Sequence, residues 1–250
     1  MFSACVARLI SELSGLKIQA IINGQINIDN CLEWGNKISK LSYFQELKSI
    51  HPIHNRLIKE PEFMVSELYF GSLKSVIISF SANLEFFLKD SMQLCMMRNY
   101  SLLKKGLIES NQVITPKDIV DMDSIESVRL KYINIISNRM CSGEMWSGKF
   151  KRYIKFLALP NELLGKNINK EIDSIWRMRN DIAHANTKVL SIEYDKVMHK
   201  FDRNINSEQY AEFAVFFIKL IDKTIDLLEK VDRLSLEKWE VTDTSLFYRK

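Results

Sequence analysis

The sequence predicts an all-α protein, on three observations. Glycine occurs 8 times and proline 4 times in 250 residues, so the residues that punctuate short strands and tight turns are scarce. Long stretches carry apolar residues at three- and four-residue steps, the period of a helix with one buried face. Strict apolar–polar alternation is confined to a few short segments. The composition is 46% hydrophobic and 26% charged, that of an ordinary globular chain long enough to bury a substantial core.

The elements follow in order. "MFSACVARLISELSGLKIQA" has helical spacing and predicts a helix over 2–14. It lacks a basic start, and Arg8 and Glu12 interrupt its apolar run, so it does not read as a secretory signal. A second helix is expected over 31–48. Pro52 and Pro61 bound a linker. They separate an amino-terminal helical extension, residues 1–60, from a main helical domain, residues 61–235, and residues 236–250 form a carboxy-terminal tail. From Val65 to about Met97 the chain is apolar on more than one face, as in a helix at the centre of a bundle. Pro61 suits its first turn and Gly71 weakens or bends it. A helix over 117–137 has Thr115 as cap, Pro116 in its first turn and Asp118 near the positive end of its dipole. Helices are expected at 149–158 and 168–184, with "LPNE" at 159–162 as a break. The strongest pattern spans 207–234, where Tyr210, Phe213, Phe217, Leu220, Ile221, Leu228 and Val231 share a side. Glu212, Lys219, Lys223, Asp226 and Lys230 fall mostly opposite, and Ser207 suits the N-cap.

The net charge of +4 permits an anionic partner without requiring one. Cys5, Cys31, Cys95 and Cys141 form no C-x-x-C pair and read as structural thiols of a reducing compartment. No run of about 18 apolar residues occurs, so no membrane span and a cytoplasmic location are expected.

The candidate site is "RMRNDIAHAN", residues 177–186, where Arg179, Asn180 and His184 stand within six positions. At about 100° per residue, Asn180 and His184 lie about 40° apart on a helix and Arg179 about 140° from His184. A long arginine can reach around that gap, or the helix can open there. On spacing alone, a surface or capping role accounts for the trio as well.

"SIWRMRNDIAHAN" resembles the signature of the HEPN superfamily (higher eukaryotes and prokaryotes nucleotide-binding domains). That signature is an arginine, a polar residue directly after it, and a histidine after four to six intervening positions. Here Asn180, Asp181, Ile182 and Ala183 intervene. The setting is similar as well: a preceding long helix with "LEFFLKD" and a long closing helix, so that residues 61–235 resemble a HEPN-like helical bundle. Many members are metal-independent endoribonucleases. The resemblance implies that Arg179 and His184 form a catalytic pair supported by Asn180, with RNA as substrate and the neighbouring 2′-hydroxyl as nucleophile. The residue types suit that chemistry. A histidine titrating near neutrality moves a proton, and a fork-shaped guanidinium holds a phosphate and its developing charge. One histidine cannot be both base and acid, and members are generally dimeric, so a homodimer with a composite site is implied. So are a toxin–antitoxin or anti-phage role and control by an antitoxin or sensor protein.

Glu85, inside "SANLEFFLKD", has two readings. It faces a groove or water, or it pairs with Arg179 and orients the site; Asp181 is grouped with it as a supporting carboxylate. "WSGKFKRYIKF", residues 146–156, interleaves Lys149, Lys151, Arg152 and Lys155 with aromatic residues. It suits RNA phosphates and bases, and equally a helix with an apolar inner face and a solvated basic outer one. "HPIH" offers His51 and His54, but proline breaks a regular helix there and no Cys or carboxylate pair completes a metal site. No phosphate-binding glycine loop, G-x-S-x-G or H-E-x-x-H is present, so no metal or other cofactor is expected. His199 reads as an ordinary side chain. The rival to a nuclease is a non-catalytic HEPN-like module that binds RNA, a nucleotide or a protein partner.

Overall fold

The computed structural model describes residues 2–26, 28–38, 40, 60–143, 145–184, 189–194, 197–202 and 204–239. Helices α1 (Phe2–Asn23), α2 (Ile28–Ile38), α3 (Pro61–Arg98), α4 (Tyr100–Glu109), α5 (Pro116–Val120), α6 (Ile125–Cys141), α7 (Trp146–Phe156) and α8 (Lys166–Ala183) precede a hairpin. The hairpin strands are β1 (Val189–Tyr194) and β2 (Val197–Asp202), and helix α9 (Ser207–Trp239) follows. The fold is helical, as expected. The linker between Pro52 and Pro61, His51 and His54, the later part of the 31–48 helix and the tail beyond Trp239 lie outside the described residues.

Two compact units are present. The first comprises Met1–Leu13, Ser81–Trp176 and Asp222–Lys250. Its core takes Leu84, Leu88 and Met92 of α3, Ile136 of α6, Tyr153 and Ile154 of α7, and Leu228 of α9, all fully buried. The Tyr153 ring meets Phe87 edge-on at 5.9 Å. Its hydroxyl donates to Ser91 Oγ at 2.8 Å, so the polar end of a buried phenol is satisfied. Gly106 lets α4 approach closely. A Cβ there would lie 3.1 Å from both Ile136 Cγ2 and Met96 Sδ.

The second unit comprises Ser14–Phe80 and Arg177–Ile221. Tyr69 and Tyr210 stack at 4.7 Å, Phe213 stacks on Phe217 at 5.5 Å, and Phe80 and Phe201 abut this column edge-on. Offset and edge-on contacts of this kind add to the area they bury. Ser72 Oγ and Tyr210 Oη lie 2.8 Å apart, Asn23 donates to Ser72, and Tyr69 donates to the Ile26 carbonyl. These bonds tie the end of α1 to α3 and α9.

Several boundaries differ from the sequence expectation for local reasons. The 117–137 helix is two, because "DMDS" interposes residues that compete with the helix for backbone hydrogen bonds. Ser124 caps α6 by accepting from Ser127 N. Asn99 ends α3 and also caps α4, accepting from Ser101 N at 2.9 Å and Leu102 N at 3.3 Å. At α9 the cap is Asn206, not Ser207. Asn206 accepts from Gln209 N at 2.8 Å, and Gln209 Oε1 accepts from Asn206 N at 3.1 Å, a reciprocal box. The hairpin was not expected, yet Leu190, Ile192 and Phe201 of one face are buried while Val189 and Met198 of the other are exposed, the two-residue alternation of a half-buried strand. By length and composition alone α3 could cross a membrane. Here Leu73, Val76, Ile77, Phe80, Leu84 and Leu88 show 0% exposure within the protein's own core.

Gly71 lies in the interior of α3, exposed, with nothing within 4 Å of where a Cβ would stand. Gly71→Ala is expected to stabilise the protein by about 1 kcal/mol, read as a higher urea midpoint with unchanged slope. The cysteines supply a pH effect. Burial pushes the Cys95 thiol from 9.0 up to about 12 and Cys141 up to about 11. In the unfolded chain these thiols ionise near their ordinary value, whereas in the fold they stay protonated. The stability they contribute is present below pH 9 and is lost as pH rises toward 12, at about 1.4 kcal/mol per pH unit from each group that responds. Urea midpoints are expected to fall from pH 8.5 to 10.5, and the fall should shrink in Cys95→Val.

Candidate active site

Helix α8 is amphipathic along its length. Glu171, Ile172, Ser174, Ile175 and Met178 are buried, whereas Arg177, Arg179, Asp181, Ala183 and His184 are exposed. The buried set follows the three- and four-residue steps that place side chains on one face. The Arg179–His184 string therefore occupies the outer side of the helix at its carboxyl end. His184 is the first residue past the last helical position, and its N–H donates to the Asn180 carbonyl at 3.0 Å. That bond closes the final turn and fixes Asn180 and His184 one turn apart.

The Arg179 side chain turns toward its neighbour Asn180. Its Nη1 donates to Asn180 Oδ1 at 3.2 Å, which folds the guanidinium around the helix toward the Asn180 side. One fork of the guanidinium is thus oriented by an amide, and the group stays exposed with donors to spare. Asp181 is exposed on the other flank.

The remaining residues singled out from the sequence lie in the first unit. Glu85, half exposed, has its Oε1 3.7 Å from Lys149 Nζ. Lys149 is itself buried, 6% exposed, and its ammonium sits 4.6 Å from the centre of the Trp146 ring. A cation held between a carboxylate and an aromatic face presents no ammonium to a phosphate arriving from solvent, so Lys149 serves the packing of α7. Arg152 donates to the Ser142 carbonyl at 2.7 Å. Lys155 is exposed and lies 3.7 Å from Glu109, and Lys151 is exposed.

Helix α7, which carries these basic residues, is held at both ends. At its amino end Asp173 of α8 accepts from Ser147 N at 2.8 Å and Ser147 Oγ at 2.7 Å, a carboxylate at the positive pole of the helix. At its carboxyl end Lys105 donates to the carbonyls of Lys155 and Phe156 at 2.5 and 3.0 Å. Lys238 donates to the Ala158 carbonyl and Trp239 to that of Leu157 at 2.9 Å. Carbonyls that the helix leaves unpaired are thus satisfied by two lysine ammoniums and an indole N–H at the negative pole. Burial pulls the Lys105 ammonium below the ordinary lysine range, Glu109 opposing and Lys155 and Lys238 adding to the shift.

Sequence reasoning missed two further ionic features. Glu171 of α8, 3% exposed, receives Lys223 of α9 on both carboxylate oxygens at 2.8 Å. The signal for it is an acidic residue among the apolar positions of an amphipathic helix. His199 of β2 has Nδ1 2.7 Å from Glu212 Oε1 of α9. Nothing in the sequence brings those two together, because the packing of the hairpin against α9 sets their meeting. Among the described residues no group of three His, Cys, Asp or Glu side chains is placed to hold a metal ion.

No curated protein and no solved structure matches the chain. The sequence profile of one family, RiboL-PSP-HEPN, matches residues 36–230.

Proposed function

The chain belongs to the RiboL-PSP-HEPN family, and with it to the HEPN superfamily, and from that premise we propose that it is a metal-independent endoribonuclease. The observation that carries the reading is the exposed carboxyl end of α8, where a guanidinium oriented by Asn180 and an imidazole one turn from that asparagine are both open to solvent. In the proposed reaction the His184 imidazole takes the proton of a ribose 2′-hydroxyl. The 2′-oxygen attacks the adjacent phosphorus, the bond from phosphorus to the 5′-oxygen breaks, and that oxygen leaves with a proton. The products are a 2′,3′-cyclic phosphate and a 5′-hydroxyl end. Arg179 binds the non-bridging oxygens and stabilises the charge they gather in the transition state, with Asn180 positioning it.

The proton for the leaving oxygen comes from a second copy of the motif, supplied by a homodimer with a two-fold axis. Within this reading the protein acts in the cytoplasm as a toxin or anti-phage effector, under an antitoxin or sensor protein. The test is incubation of the purified full chain with RNA in excess chelator, followed by identification of the ends. Cyclic phosphate ends support the reading. Binding of RNA with no cleavage assigns the chain to the non-catalytic modules instead. An active species that is strictly monomeric in light scattering removes the composite site.

A further inference from the structure

In the second unit the hairpin and the first turns of α9 enclose a trough of about 320 Å³. Ile192, Phe201, Val215 and Phe216 form its walls, with Ala211, and His199 and Glu212 line it as well. The volume is in the range that accepts a small organic group, and an apolar lining with a few polar groups is how such sites are built. Strand register creates it. Ile192 pairs directly with His199, and Phe201, two residues on, shares the His199 face. Ala211, Glu212 and Val215 are on the exposed side of α9, whereas Phe216 is buried, so the trough has an aromatic floor and an open edge.

We propose that this trough holds one unstacked base of the RNA substrate, within a few nucleotides of the phosphate handled by Arg179 and His184. The inference rests on the ribonuclease reading for the identity of the RNA. Three observations favour a nucleobase. First, only residues 185–188 separate His184 from β1, so the start of that strand lies within about 19 Å of His184 on chain length alone. Second, the walls offer a flat ring the apolar and aromatic surfaces on which unpaired bases stack. The His199–Glu212 pair at 2.7 Å sets hydrogen-bonding groups in the same trough, where the edge of a base needs them. Third, the neighbourhood suits a polyanion. Arg177 and Arg179 are exposed at the end of α8, the element that precedes the hairpin. A purely apolar ligand would make no use of the histidine–carboxylate pair or of the flanking cations.

The test uses Val215, which is 53% exposed and outside the proposed catalytic group. Val215→Trp fills the trough without changing charge. In a His184→Ala background, so that RNA survives, fluorescently labelled oligouridine, oligoadenosine, oligocytidine and oligoguanosine pentamers are titrated against the full chain with and without Val215→Trp. The trough predicts that one base type binds at least 10-fold more tightly than another and that Val215→Trp removes the difference. Equal binding of all four, or a preference that survives Val215→Trp, overturns the proposal. Sequencing of the ends cut by the chain with His184 intact gives a second readout: Val215→Trp should relax the base preference within a few nucleotides of the cut. If the base preference in binding is lost with Val215→Trp while no chain cleaves RNA, the ribonuclease reading fails and the base site stands. An amphiphilic dye such as anilinonaphthalene sulfonate that fills the trough and is not displaced by any pentamer also overturns it.

Discussion

Replacing His184 with alanine is expected to lower RNA cleavage by about 10³-fold, the order lost when a positioned acid or base is removed. The protein should fold as before. His184 is exposed past the last helical residue, and its contact with the helix is a backbone bond from its N–H to the Asn180 carbonyl, which alanine retains. Exposed substitutions of this kind move stability by about 0.5 kcal/mol or less. RNA affinity should change little, because the proposed phosphate ligand, Arg179, is retained. Arg179→Lys provides the companion result. It keeps the charge but loses the planar fork that reaches both Asn180 and a phosphate, so cleavage should fall at least 10-fold with weaker binding. The measurement is the initial rate of cyclic-phosphate formation in excess chelator, beside a thermal melt of each variant. Full cleavage by His184→Ala would remove the catalytic assignment.

The largest expected loss of stability comes from Lys223→Ala. Glu171 is 3% exposed, and both of its oxygens are met by the Lys223 ammonium at 2.8 Å. Removing the cation leaves a buried carboxylate without its counter-charge, which costs about 3–5 kcal/mol when the pair is fully buried. Lys223 is itself 39% exposed, so water partly replaces it and the lower figure, about 3 kcal/mol, is expected. Glu171→Leu combined with Lys223→Met should recover most of that loss, because a well-packed apolar pair avoids the desolvation that the ions suffer. Chemical denaturation of Glu171→Leu alone, Lys223→Met alone and the double variant gives the coupling directly. Additive losses in the double variant would show that the two side chains do not act as a pair.

The helical bundle was legible because its signal is periodic and long. The helix over 207–234 and the one from Val65 to about Met97 both stand in the structure, each somewhat longer than read. Where two capping residues compete, the sequence was harder to read. Asn206 and Ser207 both suit a cap, and Asn206 takes the role because Gln209 stands where it can answer. The break in 117–137 came from the same polar chemistry at "DMDS". The hairpin escaped notice because its strands are six residues each, too short for alternation to stand out beside helices.

At the site, the sequence by itself determined which side chains are available and their angular order on α8, since 3.6 residues per turn fixes both. It could not say whether the string would face solvent or which way the arginine would turn. Burial of Glu171, Ile175 and Met178 decided the first, and the hydrogen bond to Asn180 decided the second. The same limit applies to Lys149, which the sequence offers as a surface cation and the fold encloses between Trp146 and Glu85. Local chemistry is carried by residue type and spacing. Which charge ends up inside depends on contacts between residues far apart in the chain, and those exist only once the helices have packed.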